Sequence, residues 1–305
     1  MQMSALLTKM LLFVVVIALG MFGAKKKILA PEFNRGLSWL LVNFFIVASI
    51  FNSVISMDAG SLSMRELGRI LLISTLTIFL LYAIAAIVVR VLPVEKEKVP
   101  QLELLMGTIN NLFVTLPVVE TIYGAKGAFI IALGCIPFNL FLFTYGIARL
   151  RGGDGGFRFK DLLSAPLVAT IAAVAVFALR IPVPAAVRSI LSAISGATVP
   201  LSMLLVGASL GNVSLLKALR DRTMPLLCGV RFLLAPVVIY FVMKLVCHDD
   251  MLANSMVITA ASPCAIIVTA LSLQTGRSGE YSSEGILLTT LLSLVTLPIT
   301  AYLIL

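Results

Sequence analysis

The chain reads as an all-α integral membrane protein of ten transmembrane helices, arranged as two inverted five-helix repeats whose fourth members are broken and cross. Three observations carry that reading. Of 305 residues, 60% are hydrophobic and 12% charged, with a mean hydropathy of +1.10, far above a water-solvated domain. The apolar residues fall in runs near the ~20 residues that a helix needs to cross a bilayer. Two of these runs, in corresponding places of the two halves, are interrupted by a proline beside amide, hydroxyl or small residues. Paired interruptions of this kind point to the central site of a secondary transporter.

The expected spans are 5–23, 36–56, 68–92, 101–122, 125–148, 161–180, 186–211, 220–246, 251–273 and 283–304. They leave little chain for a soluble domain. The first span is read as retained rather than as a cleaved leader, because Lys25-Lys26-Lys27 follows it and only Lys9 precedes it. With the N-terminus outside, inner loops hold 15 Lys and Arg and outer loops seven, with Arg231 inside the membrane completing the 23. The positive-inside rule then places both termini outside the plasma membrane. It also places the connector at 149–160, with its run Gly152-Gly153-Asp154-Gly155-Gly156, in the cytoplasm.

That connector divides a first repeat, 1–148, from a second, 161–305, and five spans per half force the second to enter the membrane upside down. Short matches support the repeat. Pro31 and Arg35 before Leu37-Ser38 parallel Pro184 and Arg188 before Leu191-Ser192, and Arg69 parallels Arg222, all offset by 153 or 154 positions.

The first interruption reads Asn110-Asn111-Leu112-Phe113-Val114-Thr115-Leu116-Pro117 and the second Thr259-Ala260-Ala261-Ser262-Pro263. Each proline removes one backbone donor, so the carbonyls of Phe113 and Thr259 are expected to need new partners. Broken helices present positive half-helix N-termini and free carbonyls at one place, which hold an anion or a cation respectively. The side chains nearby are Asn110, Asn111, Thr115, Ser262, Thr269 and Gln274, and neither break holds a carboxylate, which favours an anionic substrate. Asn110 and Asn111 are read as substrate contacts and Ser262 as interhelical hydrogen bonding. Thr269, Gln274 and free carbonyls are the candidate ligands of a coupling sodium ion. Arg231, deep in the eighth span, is either a counter-charge for a carboxylate or a cap on carbonyls freed by the breaks; the cap is the favoured reading.

Other classes find little footing. An intramembrane enzyme needs a nucleophile pair, paired buried aspartates or a metal set, whereas the six aspartates fall at span ends or loops and His248 is the only histidine. The four cysteines lack metal-ligand spacing. A sodium/proton antiporter is expected to carry an aspartate in its fifth span, and residues 125–148 contain no acid. No phosphate-binding loop appears, and the +9 net charge needs no nucleic-acid partner, since the basic residues follow the inner loops.

Asn110 with Pro117, followed by Ile122-Tyr123-Gly124-Ala125-Lys126-Gly127, resembles the fourth-span pattern of the auxin efflux carrier family, whose bacterial members include malonate and malate permeases. Asn139-Leu140-Phe141 with Tyr145-Gly146, Ala197-Thr198-Val199-Pro200-Leu201, Ala261-Ser262-Pro263 and Glu284-Gly285 resemble it as well. The resemblance implies the fold of bile-acid and sodium/proton transporters. In that fold spans 1, 2, 6 and 7 form a dimerising scaffold, and spans 3–5 and 8–10 form a domain that moves by an elevator mechanism. It further implies a substrate site lined by Asn110, Pro117 and Pro263, with Tyr145 from the fifth-span motif. The short connector departs from the plant members, so hormone transport is not implied. The expected function is secondary transport of a small mono- or dicarboxylate, with no bound cofactor. A sodium- or proton-coupled carrier of the same fold is the alternative.

Overall fold

The computed structural model describes residues 2–55, 63–91, 93–152, 165–179, 181–211, 213 and 215–304. Among them all regular structure is helical: α1 (Gln2–Lys25), α2 (Pro31–Leu40), α3 (Ile46–Ile55), α4 (Met64–Val91), α5 (Val99–Gly107), α6 (Leu116–Phe141), α7 (Ile147–Arg151), α8 (Ala165–Ala178), α9 (Ala185–Leu210), α10 (Leu215–Arg220), α11 (Thr223–Gly229), α12 (Ala235–Val246), α13 (Asp250–Ala260), α14 (Ile267–Gln274) and α15 (Gly279–Ile304). Four wide, π-type turns join neighbouring helices at Leu41–Phe45, Asn111–Thr115, Leu142–Gly146 and Val230–Leu234.

Six described stretches are long and apolar enough to cross a bilayer: Glu32–Asn52, Met64–Val91, Val99–Arg151, Ala185–Ala208, Thr223–Val246 and Gly279–Ile304. The chain is a multi-pass membrane protein. The ten expected spans do not appear as ten such helices, and the reason is physical. Val99–Arg151 is 53 residues long, or ~80 Å at a helical rise of about 1.5 Å per residue, against a hydrocarbon core of about 30 Å. The stretch turns at Gly124, whose φ of 65° and ψ of −154° lie where only glycine sits without strain. The ninth span is split into α13 and α14, each short of membrane length. Gly152, at φ 75°, closes α7 as a left-handed cap; the rest of the glycine-rich connector, from Gly153, lies outside the described residues.

The chain forms two compact units, each drawing on both halves of the sequence: residues 1–72, 112–136 and 160–212, and residues 73–111, 137–159 and 213–305. In the first unit α1 packs on α9 through glycine. A β-carbon on Gly207 would stand 2.0 Å from the carbonyl oxygen of Ile17, and one on Gly20 would stand 2.3 Å from that of Leu204. Backbones that close need residues without side chains, as is common between membrane helices. Ser49 Oγ donates to Thr198 Oγ1 at 2.9 Å, which donates in turn to the carbonyl of Phe45 at 3.0 Å. Gly207→Ala is expected to push α1 off α9 and lower stability by about 1–3 kcal/mol, the usual cost of overpacking; thermal melting of the purified protein checks it.

The second unit is tied together at one end by polar contacts. Gln101 Nε2 donates to the carbonyl of Ser278 at 2.7 Å, and Arg277 donates from Nε to that of Leu150 at 2.7 Å and from Nη1 to that of Glu97 at 3.1 Å. Lys98 meets Asp221 at 3.0 Å. Burial alone would push the Asp221 carboxyl up, but hydrogen bonds from Thr223 and Lys98 outweigh it and hold the group below the ordinary carboxylate range. The acidic pair Asp249-Asp250 opens α13, where Asp249 accepts from the N–H of Leu252 at 3.0 Å, a stabilising N-cap.

Candidate substrate site at the helix crossover

Both interrupted helices are broken. Helix α5 stops at Gly107, and Thr108-Ile109-Asn110 is irregular before the chain enters the wide turn Asn111–Thr115; α13 stops at Ala260 and α14 begins at Ile267. At the second break the cause is the expected one: Pro263 has no N–H to continue the ladder. The carbonyl of Thr259 is nevertheless met, because the last turn tightens and the N–H of Ser262 reaches it at 3.2 Å.

At the first break the expectation needs correcting, since the interruption lies seven or more residues before Pro117, which instead stands second in the new helix α6. A proline in a first turn meets no missing donor. What Pro117 does is widen the turn before it. The ring of a proline clashes with the carbonyl four residues earlier, and Phe113, four before Pro117, is the centre of Asn111–Thr115. Phe232, four before Pro236, is likewise the centre of Val230–Leu234. The chain answers each clash by opening one turn, and four candidate residues, Asn111, Thr115, Tyr145 and Arg231, stand in such wide turns, which often mark functional sites.

The two breaks touch. The N–H of Asn110 donates to the carbonyl of Pro263 at 2.8 Å, so main chain from one break pairs with main chain from the other. Arg231 lies against them, fully buried, with Nη1 donating to the carbonyl of Met106 at 2.9 Å and Nη2 to the carbonyls of Ser262 and, at 3.4 Å, Pro263. Cys264 adds two contacts: its Sγ donates to the carbonyl of Leu105 at 2.9 Å, and its N–H donates to Thr289 Oγ1 at 3.3 Å. The carbonyl of Leu104 takes the N–H of Thr108 at 2.8 Å and its hydroxyl at 2.7 Å. Carbonyls 104, 105 and 106 at the end of α5 thus each find a donor, which the surrounding hydrocarbon cannot supply.

Asn110, Asn111, Ser262, Pro263 and Arg231 are therefore buried within one unit, and Asn110, Pro263, Ser262 and Arg231 share one bonded cluster. The Ser262 hydroxyl donates back to the carbonyl of Ile258 in its own helix at 2.9 Å, and its carbonyl accepts from Arg231. Thr115 and Pro117 are buried in the first unit. Thr269 pairs with Ser283 at 3.2 Å, and Gln274 closes α14.

Tyr145 finds a partner within the protein. Its hydroxyl donates to Glu103, a fully buried carboxylate in α5 that also takes Nε of Arg149 at 2.9 Å. Glu103 escaped the sequence reading because it lies near a span end, yet it is one helical turn before Gly107. The signal available was an acid in an apolar half-helix with a basic residue closing the next span. Tyr82, buried beside this group, was missed for a plainer reason: an aromatic residue in a lipid-soluble helix carries no pattern that separates packing from function.

Residues 156–301 match the family model described as membrane transport protein. Over 288 residues, covering 93% of this chain and 94% of the relative, the sequence is 26% identical to an uncharacterized transporter of Methanothermobacter thermautotrophicus strain Delta H. The chain is thus similar to membrane transport proteins over its second half and to a transporter over nearly its whole length. Both similarities point to a transporter rather than an enzyme, and the resemblance to auxin efflux carriers read from the motifs agrees with them.

Proposed function

We propose that the transporter carries a small organic anion, a mono- or dicarboxylate, by alternating access at the crossing of the two breaks. The observation that supports this most is the charge of Arg231. The guanidinium stays protonated in proteins, it is fully buried, and among the described residues it forms no ion pair, only bonds to carbonyl oxygens. At an effective dielectric of about 20, a unit charge about 4 Å away gains or loses about 4 kcal/mol. That magnitude favours a carboxylate beside Arg231 and opposes sodium there. Arg231 then serves both readings at once, its Nη atoms capping carbonyls and its charge attracting the substrate.

The inverted repeat draws support from the breaks themselves, because Ala260, the last residue of α13, follows Gly107, the last of α5, by 153 positions, the offset of the other repeat matches. In this proposal spans 1, 2, 6 and 7 are the fixed, dimer-forming scaffold and spans 3–5 and 8–10 the moving element. Residues 1–72 cluster with 160–212, in keeping with that division, but 112–136, from spans 4 and 5, cluster with them too. The excess of basic residues in the expected inner loops supports an orientation with both termini outside, and the proposal takes the membrane to be the plasma membrane.

Thermal melting of purified protein against malonate, malate and indole-3-acetate, with and without sodium, tests the proposal. A ligand that binds the native state at 100 times its Kd adds about 2.7 kcal/mol of stability. Stabilisation by at least one acid but not by its neutral amide is expected. Equal stabilisation by acid and amide, or stabilisation by sodium alone, overturns the anion reading.

A further inference from the structure

Among the described residues, two buried donors at the end of α5 have no hydrogen-bond partner. Arg231 commits both Nη atoms to carbonyls, and its Nε has none; the hydroxyl of Tyr82, a residue 3% exposed, has none either. The two side chains converge on the same turn. Nη1 of Arg231 bonds the carbonyl of Met106, and the ring of Tyr82 fills the space beside Gly107, where an added β-carbon would stand 2.8 Å from Cδ1.

The Tyr82 ring is held firmly while its hydroxyl is left uncommitted. It stacks on Phe141 with centroids 5.7 Å apart and meets Tyr145 edge-on at 5.5 Å. Tyr145 cannot answer the hydroxyl by donating to it, because its own proton goes to Glu103. A buried hydroxyl left unmet costs about 1–3 kcal/mol, and phenylalanine would fill the same place without that cost. The Arg231 Nε–H can only donate, and the Tyr82 O–H donates readily. Two donors beside one helix end fit an acceptor oxygen, and a carboxylate oxygen makes the stronger bond to each.

Resting on the anion reading above, we infer that the Tyr82 hydroxyl and Arg231 Nε together grip a carboxylate of the substrate, making Tyr82 a specificity-determining residue of the site. Gly107 is then required because any side chain there displaces the ring that presents the hydroxyl. The aromatic stack on Phe141 and Tyr145 fixes the hydroxyl before the substrate arrives, so little ordering is lost on binding.

The test is titration of malonate, malate and indole-3-acetate by thermal shift on wild type, Tyr82→Phe, Gly107→Ala and Ser74→Ala. Ser74 serves as control: it lies on the same helix, and its buried hydroxyl also lacks a partner. Tyr82→Phe removes one oxygen that bonds nothing among the described residues, so it is expected to melt at or above the wild-type temperature. Its apparent affinity for the acid that stabilises wild type is expected to fall about tenfold or more, the loss of one bond to a charged group. Gly107→Ala is expected to weaken the same acid while Ser74→Ala leaves it unchanged, and should Tyr82→Phe fail to fold, Gly107→Ala decides alone. Wild-type affinity in Tyr82→Phe shows a water-binding hydroxyl and overturns the inference while leaving the anion reading standing. If no acid stabilises wild type, the anion reading falls and this inference with it.

Discussion

Arg231→Met is expected to destabilise the transporter by about 3–5 kcal/mol, the scale seen when one partner of a buried charged contact is removed. The estimate follows from what the guanidinium touches. It donates to the carbonyls of Met106, Ser262 and Pro263, and those carbonyls are open because α5 ends at Gly107 and α13 at Ala260. Water could replace the donor at a surface, but all three acceptors lie in a cluster whose central residue is fully buried, where each unmet group costs about 1–3 kcal/mol. Pro263 keeps one partner in the Asn110 N–H, so Met106 and Ser262 carry most of the loss. Arg231→Lys retains the charge but offers one compact ammonium where a planar fork reached three carbonyls, and an intermediate loss is expected. Thermal melting in detergent measures both. If Arg231→Met melts with wild type, the guanidinium does not hold the crossover together, and its burial has to be explained by the substrate alone.

How the sequence foretold this site, and where it fell short, follows from the range over which each signal acts. Solvent class, helix type and the existence of two broken helices were legible because hydropathy and proline act locally. Pro263 breaks its helix at the position expected. Pro117 misled, because a proline constrains the turn before it without saying whether that turn widens or stops, and here it widens, with the stop falling at Thr108 to Asn110. Arg231 was legible as an expensive charge, and its Nη atoms donate to carbonyls at both breaks. Glu103 and Tyr82 were not legible, since their meaning depends on Arg149, Tyr145 and Gly107 meeting them across long sequence separations. Side-chain identity alone carries no such information. The span count was the least secure of the readings, because a helix broken at a functional crossover loses the length by which spans are recognised.

Asn110→Ala is expected to separate transport from folding in a way Arg231→Met does not. The bond that joins the breaks at residue 110 belongs to the main chain, from its N–H to the carbonyl of Pro263 at 2.8 Å, and alanine keeps that N–H. The amide side chain, on a residue 3% exposed, is what the substitution removes. Losing one side-chain contact within the protein costs about 1 kcal/mol, which leaves the folded protein intact, whereas losing a hydrogen bond to a charged substrate costs about 1.5–3 kcal/mol and slows transport about 10- to 100-fold. The check is uptake of the stabilising acid into proteoliposomes, beside thermal melting of the same preparation. Asn111→Ala, one residue into the wide turn, supplies the comparison. Should Asn110→Ala transport at the wild-type rate, the amide is a packing group, and Arg231 with Tyr82 has to hold the anion unaided; should it melt as early as Arg231→Met, the side chain rather than the main chain secures the crossover.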